Sequence, residues 1–313
     1  MRKMEIGPIN LICFSLVWLL SIESSMVCAD TIYVPDHYNT IQEAIDAAIN
    51  GDHVVVRDGT HNGTIDGVAA RIDSKYITVQ SENGPDRCII DGENMRDSAG
   101  FIIASQPLPE RTTISGFTIT RFDGRGISCV RSSPIIQNCI IKNNSSYLYD
   151  GTGIGVSRGS PLIMNCVVTD NNSGGLFGGA GICTKDSAPT VMNCLIIGNS
   201  AEVGGGVAWH DSHPMIINSI ISNNSASEYG GGIFSGRFTF PGIINCLISG
   251  NKAKYGGGIY ARASSPTITN STLSMNWPDG IRLIGGSDAV ITNSILCSTV
   301  KSSREHPKIL TKR

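Results

Sequence analysis

The chain has 313 residues and a formal net charge of −2 at pH 7, from 24 basic and 26 acidic side chains. Neither sign dominates, so the composition gives no reason to expect a nucleic-acid partner. Beyond the N-terminal segment, no stretch of the sequence is long and apolar enough to span a membrane.

The N-terminus has the pattern of a secretory signal. Arg2 and its basic neighbour precede the apolar run Ile9–Ile22, which is shorter than a membrane span, and residues 27–29 offer a cleavage site before Asp30. We therefore expect residues 1–29 to be removed and the mature chain to be secreted, periplasmic or attached to the cell surface. A lipid anchor at Cys28 is the alternative, and the bulky residue before it argues against that.

A short amphipathic helix is predicted over residues 40–49. Either Thr40 or Asn39 can act as the N-cap residue, because both side chains accept a hydrogen bond from the first helical turn. The apolar residues of the segment fall on one helical face, namely Ile41, Ala44, Ile45 and Ala48.

A two-part signature then returns every 22 to 28 residues from about Arg125 to Thr292. One part reads roughly P-x-I-x-N-C-x-I-x-x-N and occurs at 134–144, 161–171, 189–199, 214–224, 241–251 and 266–276. The other part is one or more glycines followed by Ile or Val, as in Gly126-Ile127, Gly181-Ile182 and Gly258-Ile259. A fixed period of this size indicates one supersecondary unit that is stacked many times.

The repeats favour short strands joined at sharp corners. Their apolar runs are brief and β-branched, and none carries a helical stripe over 11 or more residues. The first asparagine of each motif falls at 138, 165, 193, 218, 245, 270 and 293, and a second set falls at 144, 171, 199, 224, 251 and 276. Asparagine tolerates turn conformations, and its stacked amides can bond along the column. Both asparagine ladders are therefore interpreted as structural.

These ladders and glycine turns, with the opening Thr40–Ala48, Gly51–Val56 and Gly59-Thr60, resemble the right-handed parallel β-helix repeat proteins of the pectin lyase-like superfamily. The resemblance implies an all-β solenoid of about ten three-stranded coils over residues 30–296. It also implies that a short N-terminal helix, within about residues 30–60, caps the open end. The leucine grid of leucine-rich repeats and the G-G-x-G-x-D of calcium-binding rolls are both missing.

The resemblance transfers no catalytic residue. The sequence has no N-T-D, G-H-G or R-I-K of polygalacturonases, no W-x-D-H or paired-arginine motif of pectate lyases, and no D-F-x-x-G of pectin methylesterases. Whether the protein is an enzyme therefore stays open at this point.

The C-terminal tail, residues 297–313, is basic and lacks the repeat, so we predict that it is disordered. The last coil ends without an evident cap at residues 293–296, which suggests either a truncated chain or an end that associates with a second copy.

The ten cysteines do not follow a disulfide or zinc pattern. Cys139, Cys166, Cys194 and Cys246 share one repeat position, which Ser219, Ser271 and Ser294 fill in other coils. A position that accepts either residue indicates a small buried side chain, so stacked free thiols are preferred. Disulfides between neighbouring coils, Cys139–Cys166 or Cys166–Cys194, remain the alternative.

Counting from the Ile or Val after each glycine cluster predicts a trough parallel to the solenoid axis. The next residue should point outward and form the floor: Ser128, Gly155, Cys183, Ala208, Phe234, Tyr260 and Arg282. Four residues after the Ile or Val stand Arg131, Arg158, Asp186, Asp211 and Arg237, and one position earlier stand Lys185, His210 and Arg262. The variable turns on the other side carry Tyr147, Tyr149, Asp150, Phe177, Tyr229 and Tyr255.

Candidate site residues come from these columns. Asp186 and Asp211 would lie one coil apart, about 5 Å, which suits acid–base work on a glycosidic bond or coordination of a divalent cation. No cofactor is required, and calcium is the cation to consider. His210 and Lys185 would transfer protons or contact anions.

The flanking residues would bind substrate. Arg158 and Arg237 are predicted to clamp carboxylates, and Tyr229 and Tyr255 to stack on sugar faces. The alternative is that the charged residues are ordinary solvated turn residues and that the tyrosines pack the turns.

Three functional hypotheses follow. The first is a non-catalytic protein that binds carbohydrate, either a polysaccharide or a cell-surface glycan. The second is a secreted lyase or hydrolase that acts on an acidic glycan, and the third is a structural or self-assembling exported protein. Product release from a glycan panel would identify the second, binding without turnover the first, and concentration-dependent size the third.

Overall fold

The computed structural model describes residues 29–62, 64, 66–105, 110–148, 151–175, 178–297, 299–302 and 309–312. Of the predicted signal segment, residues 1–29, all but the last residue thus lie outside the described residues. In the described part of the chain, three parallel β-sheets wind around a common axis and one helix, Ile41–Ala47, precedes the repeats. No described helix is long and apolar enough to cross a membrane.

Each coil after the helix contributes strands to all three sheets. The first sheet has twelve strands: Thr31–Val34, His53–Val56, Thr78–Ser81, Thr113–Ser115, Ile135–Gln137, Leu162–Met164, Thr190–Met192, Met215–Ile217, Gly242–Ile244, Thr267–Thr269, Ala289–Thr292 and Ile309–Lys312. The second has ten: Gly59–His61, Cys88–Asp91, Thr118–Thr120, Ile140–Lys142, Val167–Thr169, Leu195–Ile197, Ile220–Ser222, Leu247–Ser249, Thr272–Ser274 and Ile295–Leu296. The third has fourteen: Val68–Asp73, Arg96–Ala104, Asp123–Val130, Ser145–Ser146, Ile154–Ser157, Asn172–Ser173, Ile182–Lys185, Ser200–Val203, Val207–His210, Ser225–Tyr229, Ile233–Ser235, Ile259–Arg262, Ile281–Ile284 and Val300–Ser302. The predicted solenoid of about ten three-stranded coils is confirmed.

The helix closes the N-terminal end of the solenoid. Thr40 is its N-cap: the hydroxyl accepts from the Glu43 N–H at 3.1 Å, and the Glu43 carboxylate accepts from the Thr40 N–H at 3.1 Å. The C-terminal carbonyls are satisfied by the Lys75 ammonium, which donates to Ile45 O, Asp46 O and Ala48 O at 2.7, 3.0 and 2.8 Å. The capping box thus closes the first turn of the helix, and Lys75 attaches the C-terminal end to the first coils.

The interior is a stack of aliphatic side chains that repeat in register. In the third sheet, Ile127, Ile154, Ile182, Val207, Ile233, Ile259 and Ile281 lie opposite one another in successive coils, and all are fully buried. Each such side chain contributes about 1.5–3 kcal/mol of hydrophobic stabilisation. Since strands alternate their faces, the residue after each of these points away from the core.

The inner asparagine ladder ties the coils together. Asn144, Asn171, Asn199, Asn224, Asn251 and Asn276 are buried. At Asn199, for example, both the backbone N–H and the side-chain amide donate to the side-chain oxygen Oδ1 of Asn224 at 3.0 Å. The Asn224 amide in turn donates to Ile196 O at 2.9 Å and to Asn251 at 3.1 Å. The predicted structural role is confirmed.

The outer asparagine ladder lies at the corners between the first and second sheets and consists of Asn138, Asn165, Asn193, Asn218, Asn245, Asn270 and Asn293. Its residues adopt the left-handed conformation, with φ between 46° and 54°. They turn the chain from the first sheet to the second, and asparagine tolerates this geometry. Its described amide bonds are solvent-exposed pairs, such as Asn245 to Asn218 at 3.1 Å.

Two segments of the tail differ from the predicted disorder. Val300–Ser302 pairs with Ile281–Ile284, and Ile309–Lys312 pairs with Ala289–Thr292. The edge of the preceding coil presents unpaired N–H and C=O groups, and a following segment can satisfy them whatever its side chains are.

The cysteines of the shared repeat position are free thiols, as preferred. Cys166, Cys194 and Cys246 each direct Sγ towards a backbone carbonyl one coil away, at 3.6 Å. Where serine replaces cysteine, the hydroxyl accepts the N–H of the neighbouring coil, as Ser219 does from Cys194 at 3.1 Å. Among the described cysteines, seven are buried and Cys297 is exposed.

Replacing Asn224 with alanine should destabilise the protein by about 2–4 kcal/mol, because two donors of Asn199 and the Ile196 carbonyl lose their buried partner. Urea unfolding followed by circular dichroism measures the loss. Asn218→Gly is the matched control, since glycine tolerates φ of 50° and only an exposed amide bond is lost. Equal destabilisation by both variants would show that the inner ladder contributes no more to the free energy of unfolding than the outer one.

Alkylation of the native protein should modify Cys297 far faster than any other described cysteine. The thiolate is the reactive form, and burial raises the pKa of Cys88 to about 12 and that of Cys129 to about 12. Peptide mapping by mass spectrometry, before and after denaturation in urea, resolves each site. Rapid native labelling at Cys88 or Cys129 would contradict the buried placement.

Candidate functional site

The third sheet aligns the predicted columns on one outer face. Ser128, Gly155, Cys183, Ala208, Phe234, Tyr260 and Arg282 stand opposite one another in successive coils. Lys185 likewise stands opposite His210. We call the surface over the floor positions from Ser128 to Tyr260 the trough.

The trough contains two concavities that meet at His210. The first has a volume of about 150 Å³ and is lined by Arg125, Ser128, Gly155, Cys183 and Lys185, among others. The second has a volume of about 690 Å³ and is lined by Glu202, Asp211, Phe234, Arg237, Phe238, Tyr260 and Arg262, among others. The floor residues have small side chains in the first concavity and aromatic side chains in the second.

Arg125 is a trough residue that the repeat pattern did not reveal. An added Cβ at Gly155 would lie 2.6 Å from Arg125 Nε, so the guanidinium group rests directly on this part of the floor. Glycine at 155 leaves space for that side chain. The contact joins residues of two neighbouring coils, and no periodicity within a single column signals it.

The two predicted carboxylates occupy equivalent corners but different surroundings. Asp186 and Asp211 are both exposed and left-handed, with φ of 52° and 48°. The Asp186 N–H donates to His210 O at 3.2 Å, which confirms that the two coils are adjacent. Of the two, Asp211 lines the second concavity, whereas Asp186 is outside the described lining of both.

His210 and Lys185 lie at the junction of the two concavities. His210 is half-buried, its ring centroid is 5.3 Å from that of Phe234, and it lines both concavities. Lys185 is exposed and lines the first. Both groups are therefore accessible to a molecule lying in the trough.

Arg237 does not occupy the corner that the sequence count assigned to it. The left-handed residue of this coil is Phe238, which follows Ile233 by five positions, whereas Asp211 follows Val207 by four. The extra residue is accommodated at Gly236, whose N–H donates to Trp209 O at 2.8 Å. Arg237 lines the second concavity, while Arg158 is exposed at a regular corner outside the described linings.

Tyr229 and Tyr255 stack on each other. Their ring centroids are 5.7 Å apart with an interplanar angle of 19°. A sugar ring between them would need roughly 7–8 Å, two van der Waals separations of about 3.5–4.0 Å. The faces that they share are therefore closed to a ligand, in contrast to the predicted stacking role.

The tyrosines belong to a longer aromatic column. Tyr229 contacts Tyr260 at 4.7 Å, and Tyr260 stacks on Phe234 at 5.9 Å. At the far end, Arg282 lies 4.8 Å from the Tyr255 centroid and forms an ion pair with the buried carboxylate of Asp279 at 3.2 Å. The column stiffens one wall of the second concavity.

The described residues contain no group of three or more His, Cys, Asp or Glu side chains that could hold a metal ion. Two carboxylates supply fewer oxygens than the six to eight that Ca²⁺ takes.

Three of the residues predicted in the variable turns, Tyr149, Asp150 and Phe177, lie outside the described residues. Tyr147 is 87% exposed.

Tyr260 should make stability depend on alkaline pH. Burial, followed by the neighbouring Tyr229, raises the pKa of its phenol. The folded state favours the protonated form, so this contribution is complete below about pH 10 and is lost as pH rises through the folded pKa. Urea midpoints above pH 10 should fall more steeply for the wild type than for Tyr260→Phe. Parallel curves for the two proteins would contradict the assignment.

Comparison with known proteins places the chain in a family. The model of the right-handed beta helix region matches residues 31–184 and 178–302. The crystal structure of pectate lyase Pel9A superposes with a TM-score of 0.57 at 15% identity, over 89% of this chain and 79% of that one, a likeness of fold. A search of curated proteins gives no match. With most of its length matched by the family model, the chain belongs to the right-handed β-helix family, which also confirms the predicted handedness.

Proposed function

We propose that the protein is exported and binds a polysaccharide along the trough. The observation that carries this proposal is that two concavities lie on one face of successive coils and share His210 in their linings. A chain laid along the axis would pass one coil about every 4.8 Å, a step close to the length of one sugar unit. Each coil can thus present its own outward side chains to about one sugar unit.

The walls of the trough suit sugar chemistry. Lys185 and Arg237 provide donors, Asp211 and Glu202 provide acceptors, and Phe234 and Tyr260 provide apolar floor. Ligand sites that combine apolar surface with a few placed polar groups are typical of small-molecule recognition. The structural neighbour is named as a pectate lyase, which supports a polysaccharide rather than another polymer as the ligand.

Catalysis is the second candidate function. Lys185 and His210 stand opposite each other in adjacent strands at the junction of the concavities, where either could act as a general base. Incubation with neutral and acidic polysaccharides, followed by ultraviolet absorbance of unsaturated products and by reducing-end assays, tests this. Turnover that His210→Ala and Lys185→Ala both retain would remove them from the mechanism.

The direct test of binding is affinity electrophoresis and isothermal calorimetry over a panel of neutral and acidic polysaccharides. Retardation by at least one glycan supports the proposal. The absence of binding to every member of a broad panel would overturn it.

Asp211→Asn should weaken binding of the glycan that the wild type binds in this panel. The expected loss is about 1–2 kcal/mol, roughly 5- to 30-fold, because the charged acceptor in the second concavity is lost. Asp186→Asn is the matched control one coil away, with the same backbone conformation and exposure. It should leave the affinity within about twofold. Calorimetry on both variants checks this, and a larger loss in Asp186→Asn would reverse the assignment.

A further inference from the structure

Phe238 combines two unusual features. It is 69% exposed, although it is a large apolar side chain, and its backbone is left-handed with φ of 54°. Bulky residues rarely adopt this conformation, and strain of this kind persists where the surroundings enforce it. The equivalent corners of neighbouring coils hold residues that expose no ring, Asp211 and Ala263.

The surrounding backbone holds Phe238 in place. Its N–H donates to Ala263 O at 3.2 Å, and the carbonyl of Arg237 accepts the Asp211 N–H at 3.3 Å. The next residue, Thr239, is fully buried. The ring is thus presented from a corner whose backbone is bonded to the coils on both sides, so binding need not order this backbone.

The Gly236 insertion creates this arrangement in a single coil. An added Cβ at Gly236 would lie 3.2 Å from the Phe234 ring and 3.3 Å from the His210 ring. The extra residue therefore fits tightly behind the aromatic floor. Its result is that Arg237 and Phe238 both line the second concavity.

The charges around Phe238 are balanced. The lining contains two carboxylates, Glu202 and Asp211, and two guanidinium groups, Arg237 and Arg262. Within the described part of the chain, none of these four groups takes part in an ion pair. These four groups thus carry no net positive charge that would attract a uronate-rich chain. Uncharged hydroxyls can donate to the carboxylates and accept from the guanidiniums.

We propose that the second concavity is a subsite for a neutral pyranose unit, with Phe238 as the platform for the apolar face of the ring. This inference rests on the proposed function and names its ligand class. The C–H groups of the sugar pack on the Phe238 ring, and its hydroxyls bond to Asp211 and Arg237. The coil above places only Ala263 and Ser265 at the positions equivalent to Phe238 and Phe240, which leaves room beside the ring.

The test compares two exposed phenylalanines of the same corner. Phe240 is 57% exposed, stacks on His213 at 5.6 Å and is outside the described lining of the concavity. We expect Phe238→Asn to lower affinity for a neutral glucan, mannan or xylan by about 10-fold. Phe240→Ala should change it less than twofold. The full-length protein is titrated by calorimetry, with polygalacturonate and alginate as acidic probes.

A stability measurement distinguishes a loss of affinity caused by the missing ring from one caused by misfolding. Asparagine tolerates the left-handed corner, so Phe238→Asn should raise the urea midpoint while it lowers affinity. The platform role of Phe238 would be overturned if the wild type binds neutral glycans and both variants lose affinity equally. It would also be overturned if Phe238→Asn loses no affinity. Preference for polygalacturonate or alginate would overturn the ligand class but leave the trough as a glycan site. Failure to bind any glycan would overturn the proposed function as well.

Discussion

The stacked bonds of the inner asparagine ladder are the constraint on which the remaining structure depends. Each rung satisfies a buried backbone N–H and an amide of the coil before it, as Asn224 does for Asn199. A coil that slipped by one residue would leave those donors without partners in the core, at a cost of about 1–3 kcal/mol for each group. The ladder therefore fixes the angular position of every coil that carries it. The alignment of the trough floor, from Ser128 to Tyr260, follows from that registration.

The registration also separates interior from surface. Ile233 is fully enclosed, while the next residue, Phe234, belongs to the trough floor and to the aromatic column. The interior column that contains Ile233 holds only Ile and Val from Ile127 to Ile281, because each side chain packs on its counterpart in the adjacent coils. The outward positions have no such requirement. Chemistry can therefore change from one coil to the next, as it does from Ala208 to Phe234.

The sequence predicts the repeating parts of the molecule well, because they repeat. The Thr40 cap, the register that places Lys185 opposite His210 and the free thiols of the shared cysteine position all agree with the structure. The departures occur where a single coil breaks the pattern. Counting four residues placed Arg237 at the corner, and the extra residue at Gly236 moved Phe238 there instead. Contacts between columns, such as Arg125 over Gly155, have no period from which they could be derived. The tyrosine stack depends on ring orientation, which composition does not encode.

The Gly236 insertion has a consequence for how such a chain can change over generations. In an α-helix, one added residue rotates every later side chain by about 100°. Here the shift ends within the corner, since Gly242–Ile244 again pairs in register with Met215–Ile217 and the inner ladder continues at Asn251. A length mutation is thus confined to the surface of one coil. The interior of the solenoid stays in register when the outward residues of one coil change. A new ligand preference can therefore arise at one coil without repacking of the interior of the others.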